Sequence, residues 1–159
     1  WIALSRANPE SGGLRYIPGS HDCQLPHVDR FEEQNLLSRG QHVESGCFDE
    51  ASAVDVSLQP GEFALHHFRC VHGSGPNTTA EPRVGLQVLY MAARCRKPEG
   101  CARESAFLVC GEDLYGHWEL EPRPVEAAGP REVAAHQRAL ALEKANYFAD
   151  SRGRRGYHK

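Results

Sequence analysis

Leu65-His66-His67-Phe68-Arg69-Cys70-Val71-His72-Gly73-Ser74-Gly75-Pro76-Asn77, followed shortly by Arg83-Val84-Gly85-Leu86-Gln87-Val88, is the stretch on which the reading of this chain turns. Three histidines run into a Gly/Pro turn. A neutral imidazole at a strand end is a common iron ligand, held by the ladder on one side and open at the turn on the other. His72 has that position; a histidine that hydrogen-bonds within the turn is the plain alternative. Eleven residues later Arg83 opens a strand in which Val84, Leu86, Val88 and Tyr90 share one face and Arg83, Gly85, Gln87 and Leu89 the other. An inward guanidinium is costly unless an anion meets it, and its planar fork suits a carboxylate. Gly85 on that face leaves room beside such a ligand. The alternative for Arg83 is a surface residue at a strand edge.

Outward from this stretch, the first two-thirds of the chain alternates short apolar runs with Gly/Pro/Asn punctuation, which predicts a β-sandwich or barrel. Gly12-Gly13 before Leu14 to Ile17, stopped by Pro18-Gly19-Ser20, predicts a hairpin. Asp29 is placed to cap a short inserted helix over Arg30 to Ser38, with Gly40 as its left-handed stop. Val54, Val56 and Leu58, turned by Pro60-Gly61 into Glu62 to Phe68, predict a second strand pair. Ala106 to Cys110 adds one more strand, and Leu120 to Pro130 reads as an extended connection. Pro130 suits a first helical turn, and Val133, Leu140 and Tyr147 make a stripe along residues 131 to 148. The domain expectation is a core over 1–124, a helical segment over 125–150 packed on it, and a basic tail over 151–159.

The 159 residues suit one domain or a large piece of one, and 40% hydrophobic residues can build one core. A net charge of -3 offers no broad positive field for a nucleic-acid backbone. No apolar run is long enough for a membrane span and no signal pattern opens the chain, so a soluble, cytoplasmic protein is expected. The six cysteines, Cys23, Cys47, Cys70, Cys95, Cys101 and Cys110, form no C-x-x-C pair and read as reduced, mostly buried thiols rather than a zinc site. Asn77-Thr78-Thr79 spells a glycosylation acceptor and is read as a loop.

With these residues in view, the chain resembles the phytanoyl-CoA dioxygenase family of iron(II)- and 2-oxoglutarate-dependent oxygenases over most of residues 1 to 124. The resemblance rests on several motifs in order: Trp1-Ile2-Ala3-Leu4; Glu10-Ser11-Gly12-Gly13-Leu14 leading to Ile17-Pro18-Gly19-Ser20-His21; Leu36-Leu37-Ser38-Arg39-Gly40-Gln41; Leu58-Gln59-Pro60-Gly61-Glu62; His72 to Asn77; and Arg83-Val84-Gly85. It implies a mainly β double-stranded β-helix, a cupin-like jelly roll, N-terminally incomplete and followed by a C-terminal helix. It further implies Fe(II) as cofactor, 2-oxoglutarate as cosubstrate, and a small-molecule substrate and dioxygen as partners. His72 becomes the distal histidine of the iron triad and Arg83 the anchor of the far carboxylate of 2-oxoglutarate. Ser74 and Trp1 match positions that contact the cosubstrate, although Ser74 also reads as a turn hydroxyl and Trp1 as a core aromatic.

The same resemblance implies a first histidine and a carboxylate in an H-x-D just upstream of Trp1. The expectation is therefore a fragment holding one corner of a 2-His-1-carboxylate triad, without turnover of its own. His27-Val28-Asp29 spells H-x-D but follows the Gly19-Ser20-His21 segment, and Asp29 serves as a cap, so the pair is not taken as ligands. Nor are His21, His66 or His67; successive strand residues alternate in direction, so at most one of His66 and His67 points at the site. Hydroxylation is the usual outcome of this chemistry, and halogenation occurs where a small residue replaces the carboxylate. A non-catalytic jelly-roll binding module is the rival reading. A hydrolase using Ser74 with His72 lacks the G-x-S-x-G setting such a serine needs.

Overall fold

The computed structural model describes residues 1–30, 40–147 and 149. The chain is mainly β with one C-terminal helix, and its residues group into two compact units, 1–89 and 90–159. The helix expected over Arg30 to Ser38, and the basic tail over 151–159, lie outside the described residues. Gly40 does take the left-handed conformation, with φ 59.

In the first unit, strands are short and pair with distant segments. β1 (Ile2–Ala3) runs antiparallel to β7 (Gly85–Leu86), with Ile2 opposite Leu86 and Ala3 opposite Gly85. β2 (Leu14–Tyr16) is the centre of a three-stranded sheet, between β5 (Val54–Asp55) and β6 (His72–Ser74). Gly13 therefore does not open a local hairpin. Its backbone N–H donates to Asn8 in a tight turn instead, and the partners of β2 come from much later in the chain. β3 (His27–Val28) pairs with β4 (His42–Val43). The turn at Pro60-Gly61 forms as expected, with Gly61 at φ 89 and Glu62 N donating to Gln59 O. It does not join a strand pair, however: β5 pairs with β2, and Phe63 bridges Ile2.

Two of the sequence motifs dock on each other. Gly12 has φ 74, and a Cβ there would meet the Gly75 carbonyl oxygen at 2.8 Å, so only glycine lets the turn after β6 approach. Thr78 N donates to Glu10 O across the same contact, and the Asn77 side chain ties the loop through Thr79 N and Glu81 O. The Asn77 segment is thus a stitched turn.

The core of this unit is small, built on Ala3, Ala7, Tyr16 and Ile17, with Ser11 buried among them. The apolar face expected along Arg83 to Met91 is not covered: Val84, Leu86 and Val88 are all exposed, and the strand itself spans Gly85–Leu86. Phe63, Leu65 and Phe68 are exposed as well, at 62%, 82% and 75%. The cysteines also differ from expectation; Cys70 is half-buried, and the other five are exposed free thiols.

In the second unit, β8 (Ser105–Ala106) runs parallel to β9 (Glu119–Leu120), and α1 (Pro130–Tyr147) packs beside β8. Pro130 opens the helix as its fixed φ and missing donor favour. Arg138 of α1 pairs with Glu119 of β9, and Asn146 accepts from Ala102 N and donates to Ala102 O and Glu104. The strand expected over Ala106 to Cys110 begins earlier and is shorter. Val133 and Leu140, the expected packing stripe, remain over a third exposed. Among the described residues no helix is long and apolar enough to cross a membrane.

Candidate cosubstrate and metal-ligand site

The site forms in the first unit, where His72 is the first residue of β6 and Arg83 lies two residues before β7. His72 begins β6 directly opposite Tyr16 of β2, so the two side chains share one face of the sheet. Ser74, two residues on, lies on that face as well, exposed and opposite Leu14. The opposite face carries Arg15, held by Asp55 at 3.7 Å.

The chain approaching His72 is fixed by Ser20. Its hydroxyl donates to Ile17 O at 2.7 Å and accepts from Val71 N at 2.8 Å, while Ile17 N donates to Val71 O. The Pro18-Gly19-Ser20 segment, read in the sequence as a strand stop, thereby clamps the strand that delivers His72. The imidazole of His72 is then oriented: Nδ1 lies 2.7 Å from the Cys70 carbonyl oxygen. A carbonyl can only accept, so Nδ1 carries the proton and Nε2 keeps its lone pair. This is the arrangement by which a backbone carbonyl sets the tautomer of a metal-binding histidine.

His66 and His67 diverge, although neither lies in a strand. His66 turns to Tyr16 and His72, with ring centroids at 4.8 and 5.0 Å and its Nδ1 3.3 Å from the Tyr16 hydroxyl. Burial lowers its pKa, with His72 and the Trp1 amino group adding to the effect. Tyr16, buried, has its own pKa raised by desolvation and then by Cys70. His67 lies against His21, at 5.5 Å between centroids, and His21 contacts Asp22. His27 belongs to the β3–β4 hairpin, where Asp29 accepts from Gln41.

Arg83 is half-buried, and its guanidinium lies over the indole of Trp1, 5.5 Å from the ring centroid. Among the described residues no carboxylate meets it. Trp1 is held by a two-way backbone pair with Ala64, at 2.9 Å in each direction. Its ring fills the space over Gly85: a Cβ on that glycine would overlap Cζ2, Cε2 and Cη2 of the indole. The room at Gly85 is therefore taken by Trp1 rather than left for a ligand. Gly85→Ala should displace the indole at a cost of about 1–3 kcal/mol. The measurement is urea unfolding together with Trp1 fluorescence in a Trp118→Phe background; an unmoved emission maximum and midpoint would contradict the packing.

Four residues singled out in the sequence thus fall into two groups, His72 with Ser74 and Arg83 with Trp1. Tyr16 and His66 were not foreseen. Tyr16 becomes visible once the β2–β6 register is known, and His66 once the directions of His66 and His67 are fixed. Among the described residues no group of three or more His, Cys, Asp or Glu side chains is placed to hold a metal ion.

A methylphosphonate hydroxylase of Gimesia maris is 32% identical over 67% of this chain and 36% of its own length. A protein of Stutzerimonas stutzeri described as a probable alpha-ketoglutarate-dependent hypophosphite dioxygenase is 28% identical over 87% of this chain and 51% of its own. Among solved structures, an apo form of the non-heme monooxygenase ThoJ superposes with a TM-score of 0.73 at 30% identity, over 96% of this chain and 54% of that one. The chain spans about half the length, or less, of these relatives. The family model for phytanoyl-CoA dioxygenase (PhyH) matches residues 1–85, the stretch that contains both site groups, and the chain belongs to that family.

Proposed function

We propose that this chain is the cosubstrate-binding part of a double-stranded β-helix oxygenase that uses iron(II) and 2-oxoglutarate and hydroxylates a small organic substrate. The observation that carries the reading is Arg83: a half-buried guanidinium, stacked over an aromatic ring and without a carboxylate partner among the described residues. Such a cation is most stable when an anion completes its fork, and the far carboxylate of 2-oxoglutarate supplies one. Trp1 holds the guanidinium from one side and is itself fixed by Ala64 and Gly85. Ser74, on the face of His72, is placed to hydrogen-bond the cosubstrate.

His72 is proposed as one iron ligand, its Nε2 freed by the Cys70 carbonyl. Iron, held by a complete ligand set, would supply the oxidation chemistry, and His72 would be one corner of that set. The other histidine and the carboxylate would come from a further part of the domain. Two observations support this. The relatives are about twice as long, and the exposed Phe63, Leu65, Phe68 and Leu86 form apolar surface of the kind that a facing layer covers.

The test compares this chain with protein carrying the whole domain, each given Fe(II), 2-oxoglutarate and dioxygen, with succinate as the readout. The whole domain should form succinate and the 159-residue chain should form none. Absence of both metal and 2-oxoglutarate binding in the whole domain would replace this reading by the second one, a non-catalytic jelly-roll module. That alternative draws on the single metal-ligand histidine.

A further inference from the structure

His66 lies beside His72, and the segment that carries it is tied to Trp1. Its backbone follows two residues after Ala64, which is paired to Trp1 in both directions. Its ring lies 5.0 Å from that of His72 and 4.8 Å from that of Tyr16, and the third side of the triangle, Tyr16 to His72, is 5.8 Å. One edge of the imidazole is committed, since Nδ1 faces the Tyr16 hydroxyl. Tyr16 cannot easily move away: it is buried and paired in the sheet to both Val54 and His72. The ring is therefore held in one orientation, with Nε2 on the side away from Tyr16. When the phenol donates to Nδ1, the imidazole proton resides on Nε2, which becomes a directed donor.

A ligand bound beside His72 is within reach of the neighbouring His66 ring, 5.0 Å away between centroids. We propose that His66 is a second cosubstrate-binding residue, donating from Nε2 to a carboxylate oxygen of 2-oxoglutarate, and that Tyr16 is the positioning residue that sets its tautomer and direction. This rests on the cosubstrate reading of Arg83 and extends it to two residues outside the motifs that suggested that reading. The contact is suited to an anion, because the rings that meet there, Tyr16, His66 and His72, are all potential donors or aromatic faces. One hydrogen bond from a neutral donor to a charged acceptor contributes on the order of a tenfold effect on affinity.

The experiment is calorimetric titration of 2-oxoglutarate into manganese-loaded protein carrying the whole domain. His66→Ala is expected to weaken binding about tenfold with manganese content unchanged, His66→Gln to recover part of the loss by restoring a donor, and Tyr16→Phe to weaken it by a smaller factor. A role confined to packing would not be rescued by glutamine. Unchanged 2-oxoglutarate affinity in His66→Ala, with the wild type still dependent on Arg83, overturns the proposal for His66 and leaves the cosubstrate reading intact. No binding of 2-oxoglutarate by the wild type would instead remove the cosubstrate reading, and this inference with it. His21→Ala, at the other histidine pair, serves as the matched control and should leave the affinity as it is.

Discussion

Arg83→Ala should lower the affinity for 2-oxoglutarate by more than a hundredfold in protein carrying the whole domain. The guanidinium is half-buried and lies over Trp1, so its charge is partly withdrawn from water, and among the described residues it has no protein carboxylate to fall back on. Truncating one member of a desolvated bidentate pair costs about 3–5 kcal/mol, because the remaining charge is left without its partner, and about 3 kcal/mol already exceeds a hundredfold in Kd. Arg83→Lys keeps the charge and loses the fork and the planar stacking on the indole, so it should fall between the two. Oxalate, which lacks the far carboxylate, should bind wild type and Arg83→Ala alike. The measurement is calorimetric titration on manganese-loaded protein. Equal Kd values for 2-oxoglutarate in wild type and Arg83→Ala would sink the assignment.

This result tests a residue that was legible in the sequence, and the reason it was legible is local. Arg83 and Gly85 are two apart in sequence, so a period of two predicts one face for them, and in the structure both meet the indole of Trp1 although the strand begins only at Gly85. What the period could not show is what fills the space over Gly85. The indole of Trp1 arrives from a strand at the other end of the unit, and a long-range pairing of that kind leaves no periodic trace. Tyr16 was hidden in the same way: it sits between two motif stretches as an ordinary strand aromatic, and only the register with His72 gives it a place in the site.

The mistaken pairings have a common cause. Pro60-Gly61 makes the expected turn, and a turn between two apolar runs suggests a hairpin, yet Val54 and Asp55 are taken by Tyr16 and Arg15. Turn chemistry is decided by four residues, whereas strand partners are decided by which segments the whole sheet brings alongside. Burial was misjudged for a different reason. Alternation along residues 83 to 91 marks which side chains would face a second layer, and among the described residues that layer does not cover them, so Val84, Leu86 and Val88 stay exposed. The apolar pattern is a property of the sequence; its burial needs a partner surface. The motifs themselves proved cooperative. Glu10 and Gly12 receive Thr78 and Gly75, and Ser20 clamps Val71, so two separated signatures hold the two ends of the segment that carries His72.

That convergence on His72 makes its removal the second large effect. His72→Ala, in protein carrying the whole domain, should reduce bound iron after reconstitution at least a hundredfold in apparent affinity. Altering a partner that merely orients a metal ligand typically costs ten- to a hundredfold, and deleting the ligand itself costs more. The structure also states why the neighbouring histidines cannot substitute. Nδ1 of His67 accepts from Arg69 N, and with the Tyr16 hydroxyl donating to Nδ1 of His66 both rings carry their proton on Nε2, whereas His72 gives its Nδ1 proton to the Cys70 carbonyl and keeps the Nε2 lone pair. His67→Ala should therefore retain iron at the wild-type level. Loss of fold is separable from loss of metal, because His72 is exposed and contributes no buried apolar area; the unfolding midpoint of the metal-free variant should stay close to that of metal-free wild type. Equal iron content in His72→Ala and wild type, measured on protein of unchanged midpoint, would remove His72 from the ligand set and leave Arg83 as a carboxylate clamp without a metal beside it.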